Sequence, residues 1–211
     1  MELFLVRHGH CAYDSPVFED DLPLSPKGEQ QAVLLAKYVH GLKPTRLFTS
    51  PLRRAAATAG AIARETGLEP QACQAFREIW IGDLLGVSNA DAMRIYGDMY
   101  PGWDEPVLDF GFAGGESASE FANRVVSAFN SYIWEPFRDT REKVVLVAHG
   151  GTINVVLCHV LGVPFTGPLI FDIHNASVSR VRTRRGRTYV RSINETHHLS
   201  RPSESRKSPP W

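Results

Sequence analysis

The hydrophobic pattern switches repeatedly between two periods. Leu3 to Val6 is a short unbroken apolar run, which reads as a strand buried on both faces. Ser25-Pro26 opens a stretch in which Ala32, Leu35, Ala36 and Val39 share one helical face. Ser25 is the expected cap, Pro26 suits the first helical position and Gly41 marks the exit. Arg46 to Thr49 reads as a second strand. Ser50-Pro51 then repeats the cap-and-proline start ahead of an alanine-rich helix to about Glu65. Ser117-Ala118-Ser119-Glu120 has the spacing of a capping box, and the helix behind it should turn Phe121, Val125, Ala128, Phe129 and Tyr132 towards the core. Val144 to Val147 reads as a strand, and Thr152 to Leu161 as a helix ended by Gly162. Residues 177–183 and 188–193 flank Arg184-Arg185-Gly186-Arg187 as a hairpin. Strands alternating with helices predict an α/β fold, a three-layer sandwich with a mostly parallel central sheet and helices on both faces.

Two stretches lack this order. Residues 10–24 read as a loop with the acidic cluster Glu19-Asp20-Asp21. Residues 76–115 hold Trp80, Tyr96, Tyr100, Trp103 and several glycines, with one helix expected near 89–96; they read as an insertion over a site. Residues 1–199 are expected to form a single domain, and the Ser/Pro/Arg/Lys-rich segment 200–211 a disordered tail. A length of 211 residues with 43% hydrophobic content is enough for a sizeable core.

The 23 Lys and Arg balance the 23 Asp and Glu, which argues against a general nucleic-acid coat or a polybasic membrane binder. Cys11, Cys73 and Cys158 are too few and too scattered for a disulfide framework or a zinc site, and read as free thiols. With no signal-peptide pattern at the start, this predicts a cytoplasmic protein. Val144 to Phe171 carries no Asp, Glu, Lys or Arg and exceeds the roughly 20 residues that span a bilayer. Its His149, Asn154, Gly150, Gly151, Gly162 and Pro164 break it into a buried strand, a turn and a helix, so no membrane contact is expected.

Candidate chemistry collects at three predicted strand ends. They read Arg7-His8-Gly9-His10, Ser50-Pro51-Leu52-Arg53-Arg54 and Ala148-His149-Gly150-Gly151. Open α/β sheets place ligands at this edge. Two histidines and two or three arginines there, with helix N-termini aimed at them, suit a dianion such as phosphate. A neutral imidazole beside fixed cations is a nucleophile, and the cations lower its pKa. Arg53 reads as a solvated helix residue and Asp83 as a turn residue.

These residues and their order resemble the histidine phosphatase superfamily, the phosphoglycerate-mutase-like proteins. The resemblance rests on Arg7-His8-Gly9, Pro23-Leu24-Ser25 with Gln31-Ala32, and Ser50 to Ala59. It continues through Arg77-Glu78-Ile79 with Gly82-Asp83 and Gly86, Gly115-Glu116-Ser117, His149-Gly150, Asn175-Ala176-Ser177 and Asn194 to Leu199. It implies a phosphohistidine mechanism. His8 would carry the phosphoryl group. Arg7, Arg54 and His149 would hold its oxygens, with Gly9 and Gly150 lining the phosphate. Glu78 would protonate the leaving alcohol and then help activate water. His10 and Cys11 depart from the family, which usually has Glu, Gln or Ser and then Thr or Ser. Tyr13-Asp14 stands where a Trp-Asn is common.

The reading is therefore a metal-independent phosphomonoesterase that needs no cofactor, takes a small phosphorylated substrate and binds no nucleic acid; a homodimer is compatible with it. Trp80 to Gly86 resembles the small phosphatases of the alpha-ribazole and broad-specificity kind more than a phosphoglycerate mutase. A mutase-type phosphotransferase and a non-catalytic phosphate-binding module are the alternatives. A metal site on His8, His10 and Cys11 fits poorly beside so many arginines. Arg180, Arg182, Arg184, Arg185, Arg187 and Arg191 form a basic cluster that reads as a solvated face, with substrate steering or polyanion contact as the functional alternatives.

Overall fold

The computed structural model describes residues 1–12, 16–88, 90, 91, 94, 111–165 and 170–199. Its elements run β1 (Glu2–Arg7), α1 (Pro26–Leu42), β2 (Arg46–Thr49), α2 (Arg53–Thr66), β3 (Gln71–Ala72), α3 (Ala118–Phe129), β4 (Lys143–Ala148), α4 (Gly150–Leu161), β5 (Val178–Arg184) and β6 (Arg187–Glu195). They build one six-stranded sheet in the order β3-β2-β4-β1-β5-β6. The first four are parallel, and the β5–β6 hairpin joins the β1 edge antiparallel.

Alternation along the strands divides the core into two layers. Phe4, Val6, Leu47, Val145 and Val147 pack against Ala32, Leu35 and Val39 of α1 and Ala55, Ala59 and Ile62 of α2. Leu3, Leu5, Phe48, Val144 and Leu146 face the other way, onto Phe121, Val125 and Phe129 of α3 and Ile153, Val156 and Leu157 of α4. This is the expected three-layer α/β arrangement. The uncharged stretch resolves into β4 and α4, both buried. No helix among the described residues is long and apolar enough to cross a membrane.

Local signals set most helix ends. Ser25 Oγ accepts the Gly28 N–H at 3.1 Å, and the Ser117–Glu120 capping box forms in both directions. Three local expectations need correction. Helix α1 passes Gly41 and ends at Leu42; the left-handed residue is Lys43, φ 55°, whose N–H reaches the His40 carbonyl. Ser50 does not cap α2. That helix starts at Arg53, whose N–H is taken by Asp21 Oδ1 at 2.6 Å from the acidic loop, while Ser50 Oγ lies too far back to cap it and meets His149, just past β4. Tyr132 is exposed and Ile133 is buried in its place. The reason is a π-helical turn over Asn130–Trp134, which adds one residue to the helical repeat and advances the buried face by one position. The helix expected near 89–96 is only fragmentarily covered, and Tyr13, Asp14 and the tail from 200 to 211 lie outside the described residues.

Candidate active site

Register brings the three strand ends together. Arg7 pairs with Ala148 and Thr49 with Val147, so His8, Ser50 and His149 each follow the last paired residue of adjacent strands. The His8 N–H donates to the Ala148 carbonyl at 3.0 Å, and the Ser50 N–H to the Val147 carbonyl at 2.9 Å. The His8 and His149 rings lie 5.1 Å apart, tilted by 59°.

His8 is held in one tautomer. Its Nδ1 lies 2.7 Å from the Gly9 carbonyl, which can only accept, so Nδ1 carries the proton and Nε2 the lone pair. Arg54 Nε–H donates to that Nε2 at 3.2 Å. Burial first, then the Arg54 cation, push the His8 pKa down to about 3 against the opposing pull of the Gly9 carbonyl; Arg7 and His10 add to the lowering. At neutral pH the ring is an uncharged base. Gly9 is confined by backbone: a Cβ there would sit 2.6 Å from the Gly28 carbonyl oxygen, where the turn after β1 crosses the start of α1. Its N–H donates to Thr58 Oγ1 at 3.1 Å, tying the turn to α2. The Asn175 amide donates to the His8 and Gly9 carbonyls from the far side.

The cationic groups are braced and partly unspent. Arg54 also donates to the Asp20 carbonyl, and Arg7 Nη1 to the Ile173 carbonyl. Two residues before Ile173, Phe171 is fastened at both its N–H and its carbonyl by the Asn154 amide. His149 Nε2 meets Ser50 Oγ at 2.8 Å, while the Leu52 N–H donates to the same oxygen at 3.3 Å. With Ser50 Oγ donating to Nε2, the neutral His149 ring carries its proton on Nδ1, the arrangement adopted in the mechanism below. Burial, then the neighbouring His8, Arg54 and Arg7, hold His149 well below its ordinary pKa. Arg7 Nε and His149 Nδ1 are both buried donors without a protein partner. Two such atoms at one sheet edge are the signature of a site that an anion completes.

Glu78 docks on the N-terminus of α4. Its Oε2 accepts the Gly151 N–H at 2.9 Å and its Oε1 the Ile79 N–H at 3.1 Å. The carbonyls around it are fastened too: Arg124 donates to those of Ala75, Arg77 and Glu78, and Thr152 Oγ1 to that of Arg77 at 3.2 Å. Glu116 grips Arg124 through both oxygens at 2.6 Å. Burial raises the pKa of Glu116, but the bonds from Arg124 and the Trp80 N–H outweigh it and hold the carboxyl below its ordinary value.

Every site residue expected from the sequence thus falls at or beside one sheet edge. Gly150 opens α4 beside the Arg7 guanidinium, where a Cβ would make only ordinary contact. Arg53 is exposed, and Asp83 sits in a short 3-10 turn, Gly82–Leu84. His8 and His10 have separate partners, since His10 Nδ1 pairs with Ser25 Oγ at 2.9 Å. Cys11 is buried with Sγ 3.6 Å from His8 Nδ1. Sequence reasoning missed Gly151, Arg124 and Asn154, and gave Ser50 the wrong task. Of these only Gly151 left a trace, as the second glycine after His149.

A six-stranded α/β sandwich thus places a buried, uncharged histidine among arginines at the carboxyl edge of its sheet, a setting chemically suited to a phosphate group. The chain belongs to the histidine phosphatase superfamily (branch 1), whose family model matches residues 3–196. It is 28% identical over 188 residues to the probable phosphoglycerate mutase GpmB of Salmonella paratyphi C, covering 86% of this chain and 84% of that protein. A mycobacterial glucosyl-3-phosphoglycerate phosphatase, solved with inorganic phosphate, superposes with a TM-score of 0.77 at 27% identity, over 94% of this chain and 99% of that one. YhfR of Bacillus stearothermophilus shares the fold, with a TM-score of 0.81 at 23% identity over 94% and 99% of the two chains.

Proposed function

We propose that the protein is a phosphomonoesterase working through a covalent phosphohistidine on His8. The observation that carries this reading is the His8 ring itself: Nδ1 is committed to the Gly9 carbonyl, and the Nε2 lone pair faces the Arg54 guanidinium. An incoming phosphate ester takes over the Arg54 N–H and the donors on Arg7 Nε and His149 Nδ1, and Nε2 is freed to attack. The Nε2–P bond forms as the P–O bond to the alcohol breaks, and Glu78, protonated for this step, gives its proton to the leaving oxygen. The imidazole becomes cationic, and the Gly9 carbonyl stabilises it through Nδ1–H. Water then attacks phosphorus, its proton goes to the Glu78 carboxylate, the N–P bond breaks and His8 returns to the neutral base as inorganic phosphate leaves.

The reaction needs neither a metal nor a cofactor, because cationic side chains carry the phosphoryl charge. The 27%-identical phosphatase supports hydrolysis. The 28%-identical mutase relative favours the second reading, transfer of the phosphoryl group to another hydroxyl. The test is phosphate release from p-nitrophenyl phosphate between pH 4 and 9 in excess EDTA, for the parent and His8→Ala. Release that survives EDTA and disappears in the variant is expected. Release that persists in His8→Ala overturns the mechanism, and isomerisation of a phosphoglycerate without release assigns the mutase reading.

A further inference from the structure

The arginines around the turn of the β5–β6 hairpin, Arg182, Arg184, Arg185 and Arg187, are not near the active site. Glu2 pairs with Arg182 across the antiparallel β1–β5 ladder, so residues 182–187 lie at the end of the sheet opposite His8. Six strand steps separate the two ends, about 20 Å. That exceeds two Debye lengths of about 8 Å at physiological salt, so these charges do not steer substrate to His8.

They line something else. An open cleft of about 600 Å³ sits at this end, between the start of β1, the segment entering β4 and the hairpin. Its cationic side chains are Arg138, Arg141, Lys143, Arg182, Arg184 and Arg185, against the carboxylates of Glu2 and Asp139. Both carboxylates are committed: Glu2 to Arg182 at 3.8 Å and Asp139 to Arg138 at 3.5 Å. Arg141, Arg184 and Arg185 have no carboxylate partner among the described residues, in a chain whose total charge is zero. The frame beneath them is fixed by backbone: the Thr183 N–H donates to the Met1 carbonyl at 3.0 Å, and the Glu2 N–H to the Glu142 carbonyl at 2.9 Å. Arg185 is moreover held at φ 52° in the hairpin turn, a conformation that glycine or asparagine adopts at lower cost. A second cleft of about 450 Å³ shares Arg184 and Arg185 and adds Arg187.

We propose that this cleft binds a small polyanion carrying several phosphate groups. The volume suits a ligand of that size, guanidinium forks pair bidentately with phosphate oxygens, and a single phosphate would leave most of the cations unpaired. The site is separate from the catalytic one and does not depend on the function proposed above.

The experiment is calorimetric titration of the full chain with tripolyphosphate at 0.15 M salt, in a His8→Ala background that removes the nucleophile proposed above, with free phosphate assayed after each titration to check that the probe stays intact. The triple variant Arg141→Ser, Arg184→Ser, Arg185→Ser should lose one binding event or weaken it about tenfold or more, since each charge-assisted contact carries on the order of a factor of ten. Lysines at the same positions should recover part of it, and Arg53→Ser with Arg64→Ser, elsewhere on the surface, should leave it intact. The arginines replaced are all exposed, so circular dichroism and Tm matching those of the His8→Ala background will certify folding. Identical isotherms for the parent and the triple variant, or an equal loss in the Arg53/Arg64 control, would overturn the site.

Discussion

Replacing Gly151 with alanine isolates the placement of Glu78 from its chemistry. A Cβ at position 151 would fall closer than 3.0 Å to Glu78 Oε1, and would lie 3.2 Å from its Cδ and 3.2 Å from a Phe121 ring carbon. The ring is buried in the core and does not yield, so the carboxyl must retreat by on the order of 1 Å and loosen its bond to the Gly151 N–H. A displacement of that size in a reacting group costs about 100-fold in rate, or about 2.7 kcal/mol of transition-state stabilisation. The loss depends on the leaving group. An alkyl phosphate needs the proton and should lose about 100-fold in kcat, whereas p-nitrophenyl phosphate, whose product is a stable anion, should lose less than about tenfold. Stability should barely change, because alanine is the better residue in a helical turn. Steady-state kinetics on glycerol phosphate and p-nitrophenyl phosphate, with a melting curve, measure all three. An unchanged kcat on the alkyl ester, or equal losses on both, would refute the role given to Glu78 and the geometry that places it.

Ser50→Ala removes the partner of His149 Nε2 and releases its tautomer; kcat/KM should fall about tenfold, and Ser50→Thr should restore most of it. Gly9→Ala sets a Cβ against backbone that cannot swing away and should cost about 1–3 kcal/mol, lowering Tm by several degrees, while Gly41→Ala, with nothing near its Cβ, should not lower Tm. Stability should fall as the solution is acidified. His8 takes up its proton near pH 6.5 when unfolded but only near 3 when folded, so the unfolded state binds more protons throughout that window. Unfolding free energies from urea titrations between pH 7.5 and 5 should therefore drop by up to about 1.4 kcal/mol per pH unit from His8 below pH 6.5, with His149 acting in the same direction, and His8→Ala should flatten the slope; a rise in stability on acidification would contradict the assignment.

Much of this is legible in the sequence. Apolar runs located β1, β2 and β4, and parallel strands with crossover helices have few ways to pack, so the chemistry at the strand ends had one place to meet. What stayed hidden depends on contacts distant in sequence. Nothing near Ser50 says that its hydroxyl will be claimed by His149, or that Asp21 will take over its place at the helix start. An inward Tyr132 is what an unbroken α-helix requires, and the π-turn over Asn130–Trp134 shifts the phase without a marker in composition. Arg124 looks like any polar helix residue until the loop carrying Glu78 lies beneath it. The arginines near 184 were visible as a cluster, but only the antiparallel register places them at the far end of the sheet.

The pairing of β1 with β4 also fixes when the molecule can become complete. The partners are about 140 residues apart, and the strands between and beyond them form the rest of the sheet. At ordinary synthesis rates β1 emerges from the ribosome roughly ten to thirty seconds before the segment that will lie beside it. During that interval its apolar run must be sheltered by other means, and its ladder cannot close early, because closing a loop of this size carries an entropic cost that only a nearly finished core offsets. The residue proposed as nucleophile meets Arg54 early, but His149 and Ala148 are translated about 140 residues after it, so products truncated between them retain the histidine without half of its surroundings.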